Sequence, residues 1–166
     1  MAAMIRPCAD ADFDAMFEVI NDGARAYRGV IADDCWSDPY MSAPELREEI
    51  AAGVRFWGDF DGDRLAAVMG IQDVKDVALI RHAYTRTADQ GKGSGGRLLA
   101  HLVALTDRPI LIGTWTSAVW AIRFYQGRGF TLVDEAEKER LLKKYWTVSD
   151  RQIAESVVLR SRPVAP

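Results

Sequence analysis

Asp89-QGKGSGGRLL-Ala100 holds four glycines between Gly91 and Gly96 and then runs directly into a leucine-rich segment. Glycine leaves the backbone N–H groups uncovered, because it has no side chain to shield them. At the start of a helix these N–H groups coincide with the positive end of the helix dipole, which favours an anion. The stretch therefore predicts a helix N-terminus that binds a phosphate group.

The segments on either side of the glycines predict a parallel strand pair. Asp76 to Thr85 predicts a strand, Lys92 to about Thr106 a helix, and Pro109 to Trp115 a second strand. The second strand has an unbroken apolar core, which is typical of burial on both faces. Strand, helix and strand at this spacing form a parallel unit with a crossover helix, so the glycines lie at its first turn.

The rest of the chain predicts an α/β (α+β) fold. Local periodicity, capping patterns and turn residues predict the remaining elements. In chain order these are a strand Met4 to Pro7, a helix capped by Asp10 with Gly23 just past its end, a helix opened by Ser42 and Glu45 that stops near Gly53, two strands around Asp61-Gly62, a helix Ser117 to about Gln126, a strand Phe130 to Val133, a helix near Glu135 to Lys144 and a last strand Glu155 to Leu159.

Length and composition favour one globular domain. The 166 residues are 49% hydrophobic, which suffices for a core, and we expect a single domain over residues 1–166 with its core at about 4–160. The net charge of −3 argues against a nucleic-acid partner. The chain has only two cysteines, Cys8 and Cys35, without metal-ligand spacing, so we expect a cytoplasmic protein without a metal site. It has no apolar run of roughly 20 residues and no signal-peptide pattern, so we expect no membrane segment.

Three phosphate or metal motifs fit the sequence poorly. Gly91, Gly93 and Gly96 match G-x-G-x-x-G, but the loop starts too late after its strand and the next strand ends without a carboxylate for a ribose. A P-loop needs Ser or Thr after Lys92, where Gly93 stands. The acidic run around Asp61 lacks the glycine and glutamate of a calcium loop.

A different pair of motifs does fit. Gln90-Gly-Lys-Gly-Ser-Gly95 resembles the Q/R-x-x-G-x-G/A pyrophosphate loop of the GNAT acyl-CoA N-acetyltransferases. Ala121-Ile-Arg-Phe-Tyr-Gln-Gly-Arg-Gly-Phe130 resembles the A-I-x-F-Y-x-x-x-G-F segment further along in that family. The two motifs occur in the expected order, one helix and one strand apart. The resemblance implies a mixed, mostly antiparallel sheet flanked by helices, with one splayed parallel strand pair.

The resemblance also implies acetyl-CoA as cosubstrate. Backbone N–H groups of the glycine loop would bind its pyrophosphate, with Lys92 and Arg97 adding positive charge. The pantetheine arm would lie on the exposed backbone of the first parallel strand, and Ala118 stands where the family often has an asparagine facing the cofactor. The implied cofactor-binding residues are Ala83, Tyr84, Thr85, Gln90, Gly91, Lys92, Gly93, Ser94, Gly95, Gly96 and Ala118.

The expected chemistry is direct transfer of an acetyl group to a primary amine of a small molecule or peptide. The resemblance places Tyr125 beside the thioester sulfur, where a neutral phenol can act as general acid; its alternative role is core packing. The family's glutamate base corresponds to Leu79 here, so the base is open: His82 is a candidate, as are Asp73, Asp76 and a water chain.

The acceptor is not determined by the sequence. Asp33 and Asp34 would attract a cationic amine, whereas Arg28 and Arg81 would hold a carboxylate. The aromatic segment 27–40 and the stretch 143–146 are candidate walls of the acceptor site. A non-catalytic acyl-CoA-binding or regulatory module is the alternative function, and a homodimer through an edge strand at about Glu155 to Leu159 is a possible assembly.

Overall fold

A computed structural model describes residues 3–166, and this part of the chain contains seven strands and six α-helices. The strands are β1 (Ala3–Pro7), β2 (Arg55–Asp61), β3 (Arg64–Val74), β4 (Val77–Thr85), β5 (Ile110–Trp115), β6 (Thr131–Leu132) and β7 (Ser156–Arg160). The helices are α1 (Phe13–Ala24), α2 (Ala43–Ala51), α3 (Ser94–Val103), α4 (Val119–Gln126), α5 (Glu135–Tyr145) and α6 (Asp150–Ala154).

All seven strands form one mixed sheet in the order β1-β2-β3-β4-β5-β7-β6. Every neighbouring pair is antiparallel except β4 and β5, which are parallel and joined by α3. Their pairing covers only three positions and ends at Ile80 opposite Ile112. Beyond that point the two strands separate, as the family resemblance implied, and the sheet opens into a cleft.

A β-bulge in β4 lies at the start of this cleft. Val68 pairs with Tyr84 and Gly70 pairs with Arg81, so two residues of β4 oppose one residue of β3. One of these two is His82, whose φ of 55° lies in the left-handed region that non-glycine residues rarely adopt. Bulges bend a strand and turn a side chain to a new direction. Here the bulge falls where β4 leaves β5.

Helices cover both faces of the sheet. α1 and α2 pack on one face around Ile20, Leu46 and Phe60, and α3 and α4 pack on the other around Leu98, Leu102 and Tyr125. α5 and α6 form a third cluster against β4, β5 and β7. Leu79 belongs to this third cluster and is 1% exposed, so the position of the family's glutamate lies in the core here.

Three local predictions need correction. Asp10 does not cap α1: a short 3₁₀ turn, Asp10–Asp12, comes first, and Asp12 accepts from the Ala9 N–H at 2.7 Å and pairs with Arg6. The sequence patterns did not predict α6, which the structure contains at Asp150–Ala154. Finally, β7 is not the edge of the sheet, because β6 pairs with it at Leu159 and Arg160.

Candidate active site

The cleft between β4 and β5 continues into a cavity of about 1140 Å³. Its walls come from the bulge of β4, the end of β5, the loop before α3, the inner face of α4, and the segments that precede α2 and follow α5. Sites for single small molecules are usually about 300–1,000 Å³. The cavity is therefore large enough for two substrates that meet between the separated strands.

The glycine loop forms one end of the cavity. Gly91 and Gly93 have φ values of 79° and 85°, and Gly93 is the residue that precedes the first turn of α3. A methyl group built on Gly91 would meet no atom within 4 Å, so the space beside this backbone is open. N–H groups at the start of a helix with open space before them fit a phosphate group.

Carboxylates pair with the cationic side chains of the loop. Arg97 Nη2 lies 2.6 Å from Oδ2 of Asp59, a carboxylate that is only 2% exposed, and Arg97 Nη1 donates to the Lys92 carbonyl at 2.9 Å. Lys92 Nζ lies 3.5 Å from Asp89. Asp89 also pairs with Arg64 at 2.7 Å, so the two carboxylates Asp59 and Asp89 face three cationic side chains. Arg97 ties the loop to a buried carboxylate, and the backbone N–H groups are open to an anion.

Most of the predicted cofactor residues line the cavity. Those that do are Ala83, Tyr84, Thr85, Gln90, Gly91, Gly93, Ser94, Gly95 and Gly96. Lys92 is exposed and does not line it. Ala118 is fully buried at the start of α4 and does not line it either, so its side chain has no open path to a ligand in the cavity.

Tyr125 lines the cavity from α4, and 6% of its surface is exposed. Burial, with a smaller contribution from nearby Tyr27, raises the pKa of its hydroxyl above the ordinary value for tyrosine. Within residues 3–166 the hydroxyl has no hydrogen-bond partner. Tyr125 also packs edge-on against Phe124 and Phe130. The residue thus packs in the core and also presents a neutral phenol to the cavity.

His82 lines the same cavity from β4, and its partner is Glu49 of α2. His82 Nε2 lies 2.7 Å from Glu49 Oε2, and the imidazole stacks on Phe56. The hydrogen bond from His82 holds the pKa of Glu49 below its usual value, against the opposing effect of burial. Because Glu49 is ionised at neutral pH and can only accept, the proton of the neutral imidazole lies on Nε2 and the lone pair on Nδ1.

The other two candidate bases lie elsewhere. Asp73 is near the end of β3 and Asp76 is in the turn before β4, and neither lines the cavity. Asp76 instead accepts a hydrogen bond of 2.5 Å from the Tyr145 hydroxyl. The structure therefore separates both aspartates from the cleft.

Aromatic side chains cover the middle of the cavity. Tyr27 stacks on Trp120 and lies edge-on to Tyr84, and Trp115 Nε1 donates to the Tyr40 hydroxyl at 2.8 Å. The segment 27–40 therefore does form part of the wall. In the stretch 143–146, Trp146 alone lines the cavity.

The acceptor end carries more acidic than basic groups. Its lining includes four carboxylates and two arginines: Asp34, Glu45, Glu48, Glu49, Arg81 and Arg151. Both arginines are paired, Arg81 with Glu49 at 3.2 Å and Arg151 with Asp34 at 2.9 Å. Arg28 and Asp33, two of the residues considered for acceptor binding, do not line the cavity.

Sequence reasoning missed Glu48, Glu49, Arg128 and Arg151. The first two lie on α2, and Glu49 meets His82 across 33 residues of sequence. Because this contact depends on how α2 packs against β4, no local pattern signals it. Arg128 lies inside the second quoted motif, at a position that the motif leaves open.

A family comparison supports the resemblance. The model described as "Acetyltransferase (GNAT) domain" matches residues 20–143, a span that includes the glycine loop and Tyr125. This chain belongs to the GNAT acetyltransferase family. Acetyl-CoA is the cosubstrate that goes with this family. A search for sequence relatives found no match among curated proteins.

Solved structures share this GNAT fold over nearly the whole chain. The PaiA N-acetyltransferase from Thermoplasma acidophilum, solved with coenzyme A, has a TM-score of 0.73 at 17% identity and covers 98% of this chain and 100% of its own. The ribosomal-protein-S18-alanine N-acetyltransferase from Escherichia coli has a TM-score of 0.66 at 15% identity and covers 96% of this chain and 92% of its own. The putative acetyltransferase YncA from Salmonella typhimurium, solved with acetyl-CoA, has a TM-score of 0.62 at 20% identity and covers 81% and 82% of the two chains.

Residues 3–166 contain neither a membrane-spanning helix nor a metal-binding cluster of side chains. None of the helices there is both long and apolar enough to cross a membrane. The same residues contain no group of three His, Cys, Asp or Glu side chains that could hold a metal ion.

Proposed function

We propose that this GNAT domain transfers the acetyl group of acetyl-CoA directly to a primary amine of a small molecule or peptide. The observation that carries the proposal is a single cavity that joins the glycine loop, the bare backbone of Ala83 to Thr85, Tyr125 and His82. Loop N–H groups bind the pyrophosphate, and the unpaired side of β4 holds the pantetheine arm.

Tyr125 is the proposed general acid. Its hydroxyl is neutral at pH 7, since burial raises its pKa, and it has no competing acceptor in the described part of the chain. A phenol in this state can donate its proton to a departing thiolate. The position of Tyr125 on the cavity wall supports this role.

His82 is the proposed general base. An amine reaches the site largely protonated at neutral pH and needs a base before it can attack a carbonyl carbon. The Glu49 contact leaves the lone pair of the neutral imidazole on Nδ1 and orients the ring. Glu49 thus positions the base and is not itself required to accept the proton.

An amine is the proposed acceptor because the acceptor end is acidic. Both arginines there are paired with carboxylates, so the excess of carboxylates attracts a protonated amine. The further proposals are that residues 1–166 act as one domain with its core at about 4–160, that the enzyme is cytoplasmic, and that it forms a homodimer.

Turnover tests this function against the alternative of a non-catalytic acyl-CoA-binding module. Wild-type protein is incubated with acetyl-CoA and a panel of amines: a diamine, an aminoglycoside, an amino acid and a peptide N-terminus. Released thiol and the mass of the N-acetyl product are measured. We expect turnover with at least one amine; coenzyme A binding without turnover on any of them would favour the non-catalytic module.

Tyr125→Phe tests the acid. Loss of the phenolic proton should lower kcat about a hundredfold, the usual lower range for a general acid, while the affinity for acetyl-CoA stays within a few-fold. Tyr145→Phe is the control, because it removes a hydroxyl that binds Asp76 outside the cavity. Turnover by Tyr125→Phe at the wild-type rate would exclude Tyr125 as the acid.

A further inference from the structure

Arg128 differs from the other arginines that line the cavity. In residues 3–166 three arginines line the cavity: Arg81, Arg128 and Arg151. Arg81 is paired with Glu49, and Arg151 is paired with Asp34. No carboxylate of the described residues lies within ion-pair distance of Arg128. The cavity wall thus includes one guanidinium without a counter-charge in this part of the chain.

The guanidinium of Arg128 is held beside the first turn of α3. It lies 4.0 Å from the centre of the Phe124 ring, and Nη1 donates to the Phe124 carbonyl at 3.3 Å. Nη2 lies 2.8 Å from the position that a Cβ would take on Gly96, the third residue of α3. Packing on an aromatic ring reduces the freedom of the side chain. The charge is therefore placed next to the glycine loop.

The two cationic side chains of the loop itself already have carboxylate partners. Lys92 is paired with Asp89 and Arg97 with the buried Asp59. In the proposed function the loop N–H groups bind the pyrophosphate. Coenzyme A also carries a 3′-phosphate on its ribose, a dianion that is costly to dehydrate. Arg128 is an exposed residue, so its guanidinium can pair with such a group while water still reaches both partners.

We propose that Arg128 binds the 3′-phosphate of coenzyme A. This inference rests on the proposed function, because it takes the glycine loop as the pyrophosphate site. It adds a residue that discriminates between cofactors with and without the 3′-phosphate.

Calorimetric titration with coenzyme A and with 3′-dephospho-coenzyme A tests the assignment on the full chain. Arg128→Met removes the charge but keeps an unbranched stem against Phe124. Arg123→Met is the matched control, since Arg123 is an exposed arginine of α4, five residues before Arg128, and does not line the cavity. Melting temperatures without ligand show that each variant is folded.

We expect Arg128→Met to weaken coenzyme A binding about tenfold, as for loss of one charge-assisted hydrogen bond. The affinity for the dephospho form should stay within twofold, and Arg123→Met should change neither. Equal loss for both ligands, or no loss for either, would overturn the 3′-phosphate assignment and leave the acetyltransferase proposal intact. A wild-type chain that binds neither ligand would overturn both proposals together.

Discussion

His82 shows how one residue connects the backbone to the chemistry of the cleft. Its φ of 55° is unfavourable for a residue with a β-carbon, by about 1–2 kcal/mol. The β-bulge imposes this conformation and brings the side chain to the cavity, where Glu49 and Phe56 hold the ring. Such strain is a feature of functional sites. The hydrogen bond to Glu49 is therefore expected to contribute to stability as well as to orientation.

Glu49→Gln should lower stability in a pH-dependent way. Glu49 has a lowered pKa in the folded chain, whereas an unfolded glutamate titrates at about 4.3. The carboxylate therefore contributes fully above the unfolded value, and its contribution is lost as the pH falls through the lower folded pKa. We expect the melting temperature at pH 6 to fall by about 3 °C, for a loss of about 1 kcal/mol, and the deficit to shrink toward pH 3.

Glu48→Gln is the control for this experiment, because Glu48 is the exposed neighbour on α2 with no ion pair in the described residues. Thermal unfolding of the three proteins from pH 6 to pH 3 provides the measurement. A Glu49→Gln deficit that is the same at every pH, or that Glu48→Gln shares, would show that the carboxylate is not paired as described.

At the scale of elements, the glycine loop and α3 act as one unit. Gly93 precedes the helix with a φ of 85°, and Arg97, one turn later, reaches back to the Lys92 carbonyl and across to Asp59 on β2. The buried ion pair holds the helix start against the sheet, because separating it would leave a carboxylate in the core without its partner. The loop is thus held in place before any cofactor binds.

Gly93→Val should abolish coenzyme A binding without unfolding the protein. A side chain at this position strains the left-handed backbone, and its Cβ would lie 3.1 Å from Arg97 Nη1. We expect this strain and crowding to displace the loop. Gly53→Val is the matched control: its φ is 102°, it has open space, and it follows α2 outside the cavity. Both variants should lose about 2 kcal/mol of stability, and Gly93→Val alone should lose binding in calorimetry. Retained binding would mean that the pyrophosphate lies elsewhere.

At the scale of the whole molecule, the sequence predicts those features that depend on residues close together in the chain. The glycine loop, the parallel pair and the order of nearly all elements follow from turn residues and periodicity within short windows. The capping box of α6, Ser149 with Gln152, is equally local, but the helix has only five residues and no apolar period to reveal it.

The site depends on contacts between distant parts of the chain. Glu49 meets His82 across 33 residues, and Asp59 meets Arg97 across 38. Both contacts are set by how a helix packs on the sheet, so no local pattern could indicate them. The acceptor wall, built from the segments around Tyr40 and Trp146, depends in the same way on the complete fold.

Thermal unfolding with acetyl-CoA, coenzyme A, NAD and ATP at equal high concentration tests most directly whether the cleft binds acetyl-CoA. A ligand that binds the native state alone adds about 2.7 kcal/mol at 100 times its Kd. We expect a higher melting temperature with the two coenzyme A species and no change with NAD or ATP. A shift with NAD or ATP alone, or no shift in a chain that melts cooperatively, would contradict this expectation.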